Sequence, residues 1–263
     1  STPEDTPRFQ ELFDNGSSYG LRLSYAIQEH PDGLAQAFII GEKFIGNDSC
    51  AMILGDNIFY GNNFKKNLKV AVENVSKGKA TIFGYHVDDP WRFGVVGFDE
   101  AGKANSIEEK PQKGTEKSNY CVTGLYFYDN RCVDFAKKIK PSKRGELEIT
   151  DLNRMFLEDG SLEVITLGRG FTWLDTGTHE SLADATLFVK MIEEHQGLKI
   201  SCIEEIAYLN GWMTKDQLQE QADKMKLNST VVSFNRDGIL VENAINNNMQ
   251  KSQALFNQVR NYL

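Results

Sequence analysis

Strand-like and helix-like patterns of apolar residues alternate along most of this chain. The run Cys50-Ala51-Met52-Ile53-Leu54 is short, unbroken and followed by Gly55-Asp56, which is typical of a buried parallel strand. Residues 64–75 then carry apolar side chains at helical spacing, and residues 80–87 form the next strand-like run. This alternation predicts an α/β domain with a mainly parallel sheet.

An antiparallel insertion and a group of C-terminal helices complete the predicted fold. Strands around Val95 and Ile107 are joined by a short turn, and another strand covers residues 120–128. After Trp173 the pattern becomes helical, with predicted helices over residues 182–194, 203–210 and 215–225.

The two ends of the chain carry further predictions. A helix is expected to begin with Thr2 as its cap, a strand to run from Leu21 to Ile27, and a helix to cover residues 34–44. Near the C-terminus, residues 231–234 and 239–241 predict a hairpin, which an Asn/Gln-rich amphipathic helix follows.

Charge and residue usage exclude several classes of protein. The formal net charge of −8 argues against a nucleic-acid-binding protein, because such proteins neutralise phosphates with excess Lys and Arg. No apolar stretch is long enough for a membrane span, and the first residues lack the pattern of a signal peptide, so a soluble cytoplasmic protein is expected. The four cysteines form no C-x-x-C pair and are expected to be reduced.

The sequence favours magnesium over zinc as a bound metal. The four histidines are scattered, so any metal would be held by carboxylates. Asp56 follows the apolar run ending at Leu54, and Asp175 lies between Trp173 and a Gly turn before a predicted helix. Each position suits either a ligand at the edge of an α/β sheet or a carboxylate that caps a helix or turn.

Two other polar segments have ordinary explanations when each is considered alone. Residues 28–33 form a turn between a predicted strand and a predicted helix, and residues 108–111 resemble a solvated strand edge. No Walker A loop and no G-x-G-x-x-G motif occurs in the 263 residues.

The order of these segments resembles the sugar-1-phosphate nucleotidyltransferase family over residues 1–226, and within it the branch that uses dTTP and glucose 1-phosphate. The resemblance is carried by Gln28-x-x-Pro31-x-Gly33-Leu34-Ala35-Gln36-Ala37, Leu54-Gly55-Asp56-Asn57, Phe93-Gly94-Val95-Val96, Glu109-Lys110-Pro111, Val122-Thr123-Gly124-Leu125-Tyr126, Arg144-Gly145-Glu146-Leu147-Glu148-Ile149-Thr150-Asp151 and Trp173-Leu174-Asp175-Thr176-Gly177. It implies a Rossmann-like nucleotidyltransferase fold for residues 1–226, with residues 227–263 as an unmatched tail. It also implies Mg²⁺, a homotetramer, and the formation of dTDP-glucose and pyrophosphate in deoxysugar synthesis, including dTDP-rhamnose.

The resemblance also assigns roles to individual residues. Asp56 and Asp175 would hold the magnesium, and Lys110 would act with them as a catalytic residue near the sugar phosphate. Gln28, Pro31, Gly33 and Asp56 would bind the nucleotide, with Gln28 at the thymine edge. The sugar phosphate would contact Asn57, Gly94, Glu109, Lys110, Val122, Tyr126 and Trp173.

One family feature is absent from the sequence. In the family, a first strand, a Gly-rich G-x-G-T-R-L loop and a Lys precede the segment that resembles Ser1-Thr2-Pro3, and they bind the triphosphate. We therefore expect either a fragment of a longer protein or a natural truncation, without measurable turnover by the chain alone.

Two alternative functions remain open from the sequence. The chain could be a non-catalytic nucleotide-sugar binder or a regulatory, oligomerising subunit. It could also be a related transferase that uses UTP or ATP, since dTTP and UTP differ by one methyl group on the base.

Overall fold

The computed structural model describes residues 1–225, 232–236 and 239–243. The α-helices of these ranges are α1 (Thr6–Phe13), α2 (Gln36–Ile40), α3 (Glu42–Ile45), α4 (Phe64–Ser76), α5 (Arg131–Ala136), α6 (Ile149–Glu158), α7 (His179–Gln196), α8 (Ile203–Leu209) and α9 (Lys215–Met225). The strands are β1 (Cys50–Ile53), β2 (Asn57–Gly61), β3 (Ala80–His86), β4 (Gly94–Phe98), β5 (Ala104–Glu109), β6 (Tyr120–Tyr128), β7 (Leu162–Leu167), β8 (Phe171–Asp175), β9 (Val232–Arg236) and β10 (Ile239–Asn243).

The largest sheet is mixed, so the expectation of a mainly parallel sheet is wrong. Its order is β5-β4-β6-β3-β7, and β1 also pairs with β6. Strands β3 and β7 pair in parallel from Ala80↔Leu162 onwards, whereas β1 pairs antiparallel with β6, with Cys50 opposite Tyr128. The apolar run of β1 marked it correctly as a strand but carried no information on its direction. Ala51 is exposed, and the other residues of β1 are only partly buried.

The other pairings are also antiparallel or form small sheets. The predicted insertion is confirmed by β4 and β5, which pair antiparallel. Strands β2 and β8 form a two-stranded sheet, and β9 pairs antiparallel with β10, which confirms the predicted hairpin. The helix predicted after this hairpin lies outside the described residues.

The first 45 residues differ from prediction in three places. Helix α1 begins at Thr6 instead of near Thr2, because Thr6-Pro7 repeats the start signal of Thr2-Pro3 four residues later. Residues 21–28 form no strand in the described structure; the backbone N–H of Gln28 donates to the carbonyl of Ser1. The third predicted element, a helix over residues 34–44, is divided at Gly41 into α2 and α3.

The chain forms two compact units. The first comprises Ser1–Pro3, Ala26–Leu54 and Phe59–Trp173, and the second comprises Glu4–Tyr25, Gly55–Ile58 and Leu174–Leu263. The core of the first unit lies between the large sheet and its helices, with fully buried Phe83, Tyr128 and Phe156. In the second unit, α8 and α9 contribute Ala207, Leu218 and Ala222 to a smaller core. The predicted boundary at residue 226 stays a prediction.

Within the described ranges, no helix is both long enough and apolar enough to cross a membrane.

Candidate active site

The two aspartates predicted to hold a metal face the same point in the second unit. Asp56 lies between β1 and β2, and Asp175 is the last residue of β8. The backbone N–H and the hydroxyl of Thr176 both donate to the carbonyl of Asp56, at 2.8 Å. A Cβ placed on Gly177 would lie 3.4 Å from Oδ1 of Asp175 and 3.8 Å from Oδ2 of Asp56. A residue with a side chain at position 177 would therefore occupy the space that both carboxylates face.

The side chain of Asn57 helps to orient the first of these carboxylates. Asn57 is buried, with 2% of its surface exposed, and its Nδ2 donates to Oδ1 of Asp56 at 2.8 Å. Carboxylate oxygens suit a hard cation such as Mg²⁺, which usually takes one or two carboxylates together with substrate phosphates. Among the described residues, no group of three or more His, Cys, Asp or Glu side chains could form an all-protein metal cage.

A second group of predicted site residues lies around Glu109 in the first unit. Oε2 of Glu109 accepts a hydrogen bond from the hydroxyl of Thr150 at 2.5 Å. A Cβ on Gly94 would lie 3.0 Å from that hydroxyl, 3.5 Å from Oε2 of Glu109 and 3.8 Å from Cγ2 of Val122. The structure thus brings together Gly94, Glu109 and Val122, which the family resemblance assigns to the sugar phosphate.

Arg144 lies at the edge of this group. Its Nη2 is 3.4 Å from Oε1 of Glu109 and makes shorter contacts of 2.8 and 3.0 Å with the carboxylate of Glu148. These hydrogen bonds, chiefly those with Glu148, raise the pKa of Arg144. The hydroxyl of Ser142 also donates to Glu148, at 2.6 Å, so the guanidinium is held in place by its own loop.

Trp173 packs into an aromatic cluster beside β4. Its ring is 5.2 Å from that of Phe93 and 5.8 Å from that of Tyr85, in edge-to-face arrangements, and only 7% of the residue is exposed. The indole therefore stabilises the segment that leads into Gly94. Tyr126 lies elsewhere, in the main core, where it is 3% exposed and stacks on Tyr128.

Lys110 has an unusual backbone conformation at the end of β5. Its φ of 40° lies in the left-handed region, which non-glycine residues adopt at a cost, and its N–H donates to the carbonyl of Phe93 at 3.0 Å. The side chain is exposed and makes no ion pair within the described ranges. Such a lysine is available to an anionic ligand.

The predicted base-binding turn packs against the backbone of Leu147. Gly33 has a φ of 101°, and a Cβ at this position would lie 2.4 Å from the carbonyl oxygen of Leu147. The glycine is therefore required by close packing within the first unit, a reason that the sequence did not suggest. Gln28 donates from Nε2 to the carbonyl of Gly33 at 3.1 Å, and Pro31 lies exposed between them in the chain.

Sequence reasoning missed several members of these groups. Thr150, Arg144 and Glu148 were part of a matched block but received no role, and the same holds for Gln36. The contacts of Thr150 and Arg144 with Glu109 join positions 41 and 35 residues apart, so no local pattern marked them. Gln36 lies only four residues from Asp32 and eight from Gln28, and its polar side chain next to the turn was the available signal.

Comparison with known proteins shows which family of proteins the chain is similar to. The family model for nucleotidyl transferases matches residues 1–191. A glucose-1-phosphate thymidylyltransferase from Neisseria meningitidis is 58% identical over 228 residues, covering 87% of this chain and 78% of that protein. A protein of the same name from Mycobacterium tuberculosis is 50% identical over 222 residues, covering 84% of this chain and 75% of that protein.

Solved structures agree with these matches. A Bacillus anthracis crystal structure, described as a glucose-1-phosphate thymidylyltransferase in complex with a sucrose, aligns with a TM-score of 0.64 and 37% identity over 71% of this chain and 73% of that chain. A UDP-glucose pyrophosphorylase complexed with UDP-glucose aligns with a TM-score of 0.57 and 25% identity, over 64% of this chain and 66% of that chain.

Proposed function

The chain belongs to the nucleotidyl transferase family, and we propose that its reaction is thymidylyl transfer from dTTP to α-D-glucose 1-phosphate. A phosphate oxygen of the sugar phosphate attacks the α-phosphorus of dTTP. The new P–O bond gives dTDP-glucose, and the bond to the β-phosphate breaks to release pyrophosphate. The sugar phosphate is already a nucleophile, so the protein has to position the reactants and stabilise charge.

The observation that carries this proposal is the pair of aspartates facing the space beside Gly177. Mg²⁺ held there by Asp56 and Asp175 would offset the charge of the nucleotide phosphates. Asn57 fixes the orientation of Asp56 through its 2.8 Å hydrogen bond. The exposed ammonium of Lys110 is suited to bind the phosphate of the sugar.

The surroundings of Glu109 support the proposal that the second substrate is a sugar phosphate. A carboxylate accepts hydrogen bonds from sugar hydroxyls, and Thr150 and Arg144 hold its two oxygens in fixed directions. Gly94 leaves space directly in front of this carboxylate, since a Cβ there would lie 3.5 Å from Oε2. These features suit a polyhydroxylated ligand at Glu109.

A uridylyl transferase is the second candidate. The hydrogen bonds of Gln28 leave its Oε1 to accept from a base, and both thymine and uracil carry a hydrogen at N3. The similarity to UDP-glucose pyrophosphorylase also favours this alternative. Affinities for dTDP and UDP measured side by side distinguish the two.

Further properties follow the family resemblance. We propose a cytoplasmic homotetramer that requires Mg²⁺ and supplies dTDP-glucose to deoxysugar synthesis. The expectation that the 263-residue chain alone has no measurable turnover stays a prediction, which an assay of pyrophosphate release from dTTP and glucose 1-phosphate measures directly.

Binding of dTTP with and without Mg²⁺ tests the role of the aspartates. Calorimetric titration of the wild type should show clearly tighter binding with Mg²⁺, and Asp56→Asn or Asp175→Asn should abolish most of that difference. Asp184→Asn, on the exposed part of α7, serves as the control and should keep it. An unchanged Mg²⁺ effect in both active-site variants would remove the basis of the proposal.

A further inference from the structure

A chain of hydrogen bonds lies behind the side chain of Gln28. Its Nε2 donates to the carbonyl of Gly33 at 3.1 Å and to Oε1 of Gln36 at 2.7 Å. Nε2 of Gln36 in turn donates to Oδ2 of Asp32 at 2.8 Å. All four residues belong to the first unit, and Gln28, Asp32 and Gln36 are partly buried.

The chemistry of the end groups fixes the direction of both amides. A backbone carbonyl and an ionised carboxylate can only accept hydrogen bonds. If the amide of Gln28 turned over, its Oε1 would face the carbonyl of Gly33 and the Oε1 of Gln36. If the amide of Gln36 turned over, its Oε1 would face the carboxylate of Asp32. Each reversal loses hydrogen bonds and brings acceptors together.

In this orientation, Oε1 is the polar atom of the Gln28 side chain that remains for a ligand. Both hydrogens of Nε2 are engaged, whereas Oε1 accepts no hydrogen bond from any residue in the ranges that the structure describes. Because the side chain is only partly buried, Oε1 is accessible to a ligand. Gln28 can therefore receive a hydrogen bond from a bound base but cannot donate one.

From this arrangement we infer that Gln36, supported by Asp32, is a positioning residue that restricts the base to one with a hydrogen at ring nitrogen N3. The inference rests on the proposed function, in which Gln28 contacts the base. Thymine and uracil carry that hydrogen, whereas cytosine presents a lone pair at the same place. A Gln28 amide that was free to turn over could donate to cytosine, and selectivity against cytosine would fall.

Gln36 is the member of the chain that can be tested by substitution. The carbonyl of Gly33 is backbone and holds only one of the two Nε2 hydrogens, so the other depends on Gln36. Gln36→Met keeps the length and helix propensity of the side chain and removes both of its hydrogen bonds. The carboxylate of Asp32 then loses its connection to Gln28.

Calorimetric titration with dUDP and dCDP gives the readout, because these nucleotides differ only at N3 and the neighbouring C4 group. The wild type should bind dUDP roughly 10- to 100-fold more tightly than dCDP. Gln36→Met should reduce this ratio by about 3- to 10-fold, the range expected for one neutral hydrogen bond.

A matched control separates this effect from general damage. Gln219 on α9 donates from Nε2 to Oδ1 of Asp223 at 3.0 Å, which is the same type of bond between residues four positions apart. Gln219→Met should leave the dUDP to dCDP ratio at the wild-type value.

A double variant provides a rescue. In Asp32→Asn/Gln36→Glu the amide and the carboxylate exchange places, so position 36 still accepts from Gln28 and now also accepts from position 32. This variant should recover most of the wild-type ratio. Gln36→Glu alone places two carboxylates together and should bind both nucleotides less well.

The possible outcomes distinguish a failure of the proposed function from a failure of the role assigned to Gln36. If the wild type binds neither dTDP nor dUDP, the proposed function fails and the inference fails with it. If the wild type prefers dUDP but Gln36→Met weakens both nucleotides equally, or the double variant does not restore the ratio, only the role of Gln36 is refuted. A loss of ratio in Gln36→Met with recovery in the double variant supports it.

Discussion

The contacts of Glu109 allow its proposed role in sugar binding to be separated from its contribution to stability. Oε2 accepts from Thr150 at 2.5 Å, and Oε1 lies 3.4 Å from Nη2 of Arg144. Glu109→Gln preserves the shape of the side chain but replaces one acceptor oxygen with an NH₂ group, which only donates. It also removes the negative charge.

The expected effect on stability is small. Arg144 keeps its shorter contacts of 2.8 and 3.0 Å with Glu148, so the guanidinium does not lose its main partner. The replacement amide can still accept from Thr150 through its oxygen, so the loss is the long, partly exposed contact with Arg144, about 0–1 kcal/mol in the free energy of unfolding. A hydrogen bond from a sugar hydroxyl to a carboxylate contributes about 1.5–3 kcal/mol, so glucose 1-phosphate should bind roughly 10- to 150-fold more weakly.

Separate titrations with glucose 1-phosphate and dTDP measure this prediction. Affinity for dTDP should change by less than about 2-fold, because the base and its phosphates do not depend on Glu109. Glu146→Gln is a matched control, since its carboxylate lies at the same 3.4 Å from Arg144. Equal losses for both ligands, or an equal loss in the control, would refute the assignment of Glu109 to the sugar.

Three further predictions address the fold and its titrating groups. Gly33→Ala should lower the free energy of unfolding by about 2–4 kcal/mol in a urea titration, because φ is positive and the Cβ would lie 2.4 Å from the carbonyl of Leu147; a change below about 0.5 kcal/mol would contradict this. Cys50 should be alkylated before Cys121 at neutral pH, since a hydrogen bond from a neighbouring thiol lowers the pKa of Cys50, whereas burial raises the pKa of Cys121 to about 12; peptide mass spectrometry would detect the reverse order. Burial, followed by a nearby carboxylate, raises the pKa of Tyr19 from 10.0 to about 12, so its contribution to stability is present below pH 10 and lost towards pH 12. Tyr19→Phe should therefore reduce the fall in melting temperature over that interval, and an identical fall in both proteins would disprove this.

Much of the element order could be predicted from periodicity, because local patterns specify local structure. Helix α4 and strands β3 and β6 lie within about a residue of their predicted positions. The direction of β1 could not be predicted, since an apolar run is compatible with either pairing direction. The strand predicted over residues 21–27 does not form, because alternation does not supply a partner strand.

At the candidate site, too, features of the local sequence were predictable and contacts between distant segments were not. Asp56 and Asp175 stood out by their positions after apolar segments, the family resemblance implied their metal role, and the structure brings them to one point beside Gly177. The hydrogen bond from Thr150 to Glu109 and the close approach of Leu147 to Gly33 join distant parts of the chain. Such contacts depend on the tertiary fold, so a single sequence contains no local signal for them.

Binding of three sugar nucleotides tests the central claim most directly, because it requires no turnover. Titration of the chain with dTDP-glucose, UDP-glucose and ADP-glucose in the presence of Mg²⁺ compares the nucleosides while keeping the glucose constant. We predict saturable binding of dTDP-glucose, weaker binding of UDP-glucose by roughly 10-fold for the missing methyl group and the altered sugar of the nucleoside, and little binding of ADP-glucose. Equal affinity for all three nucleotides, or no binding of dTDP-glucose, would contradict the assignment of thymidylyl transfer to this chain.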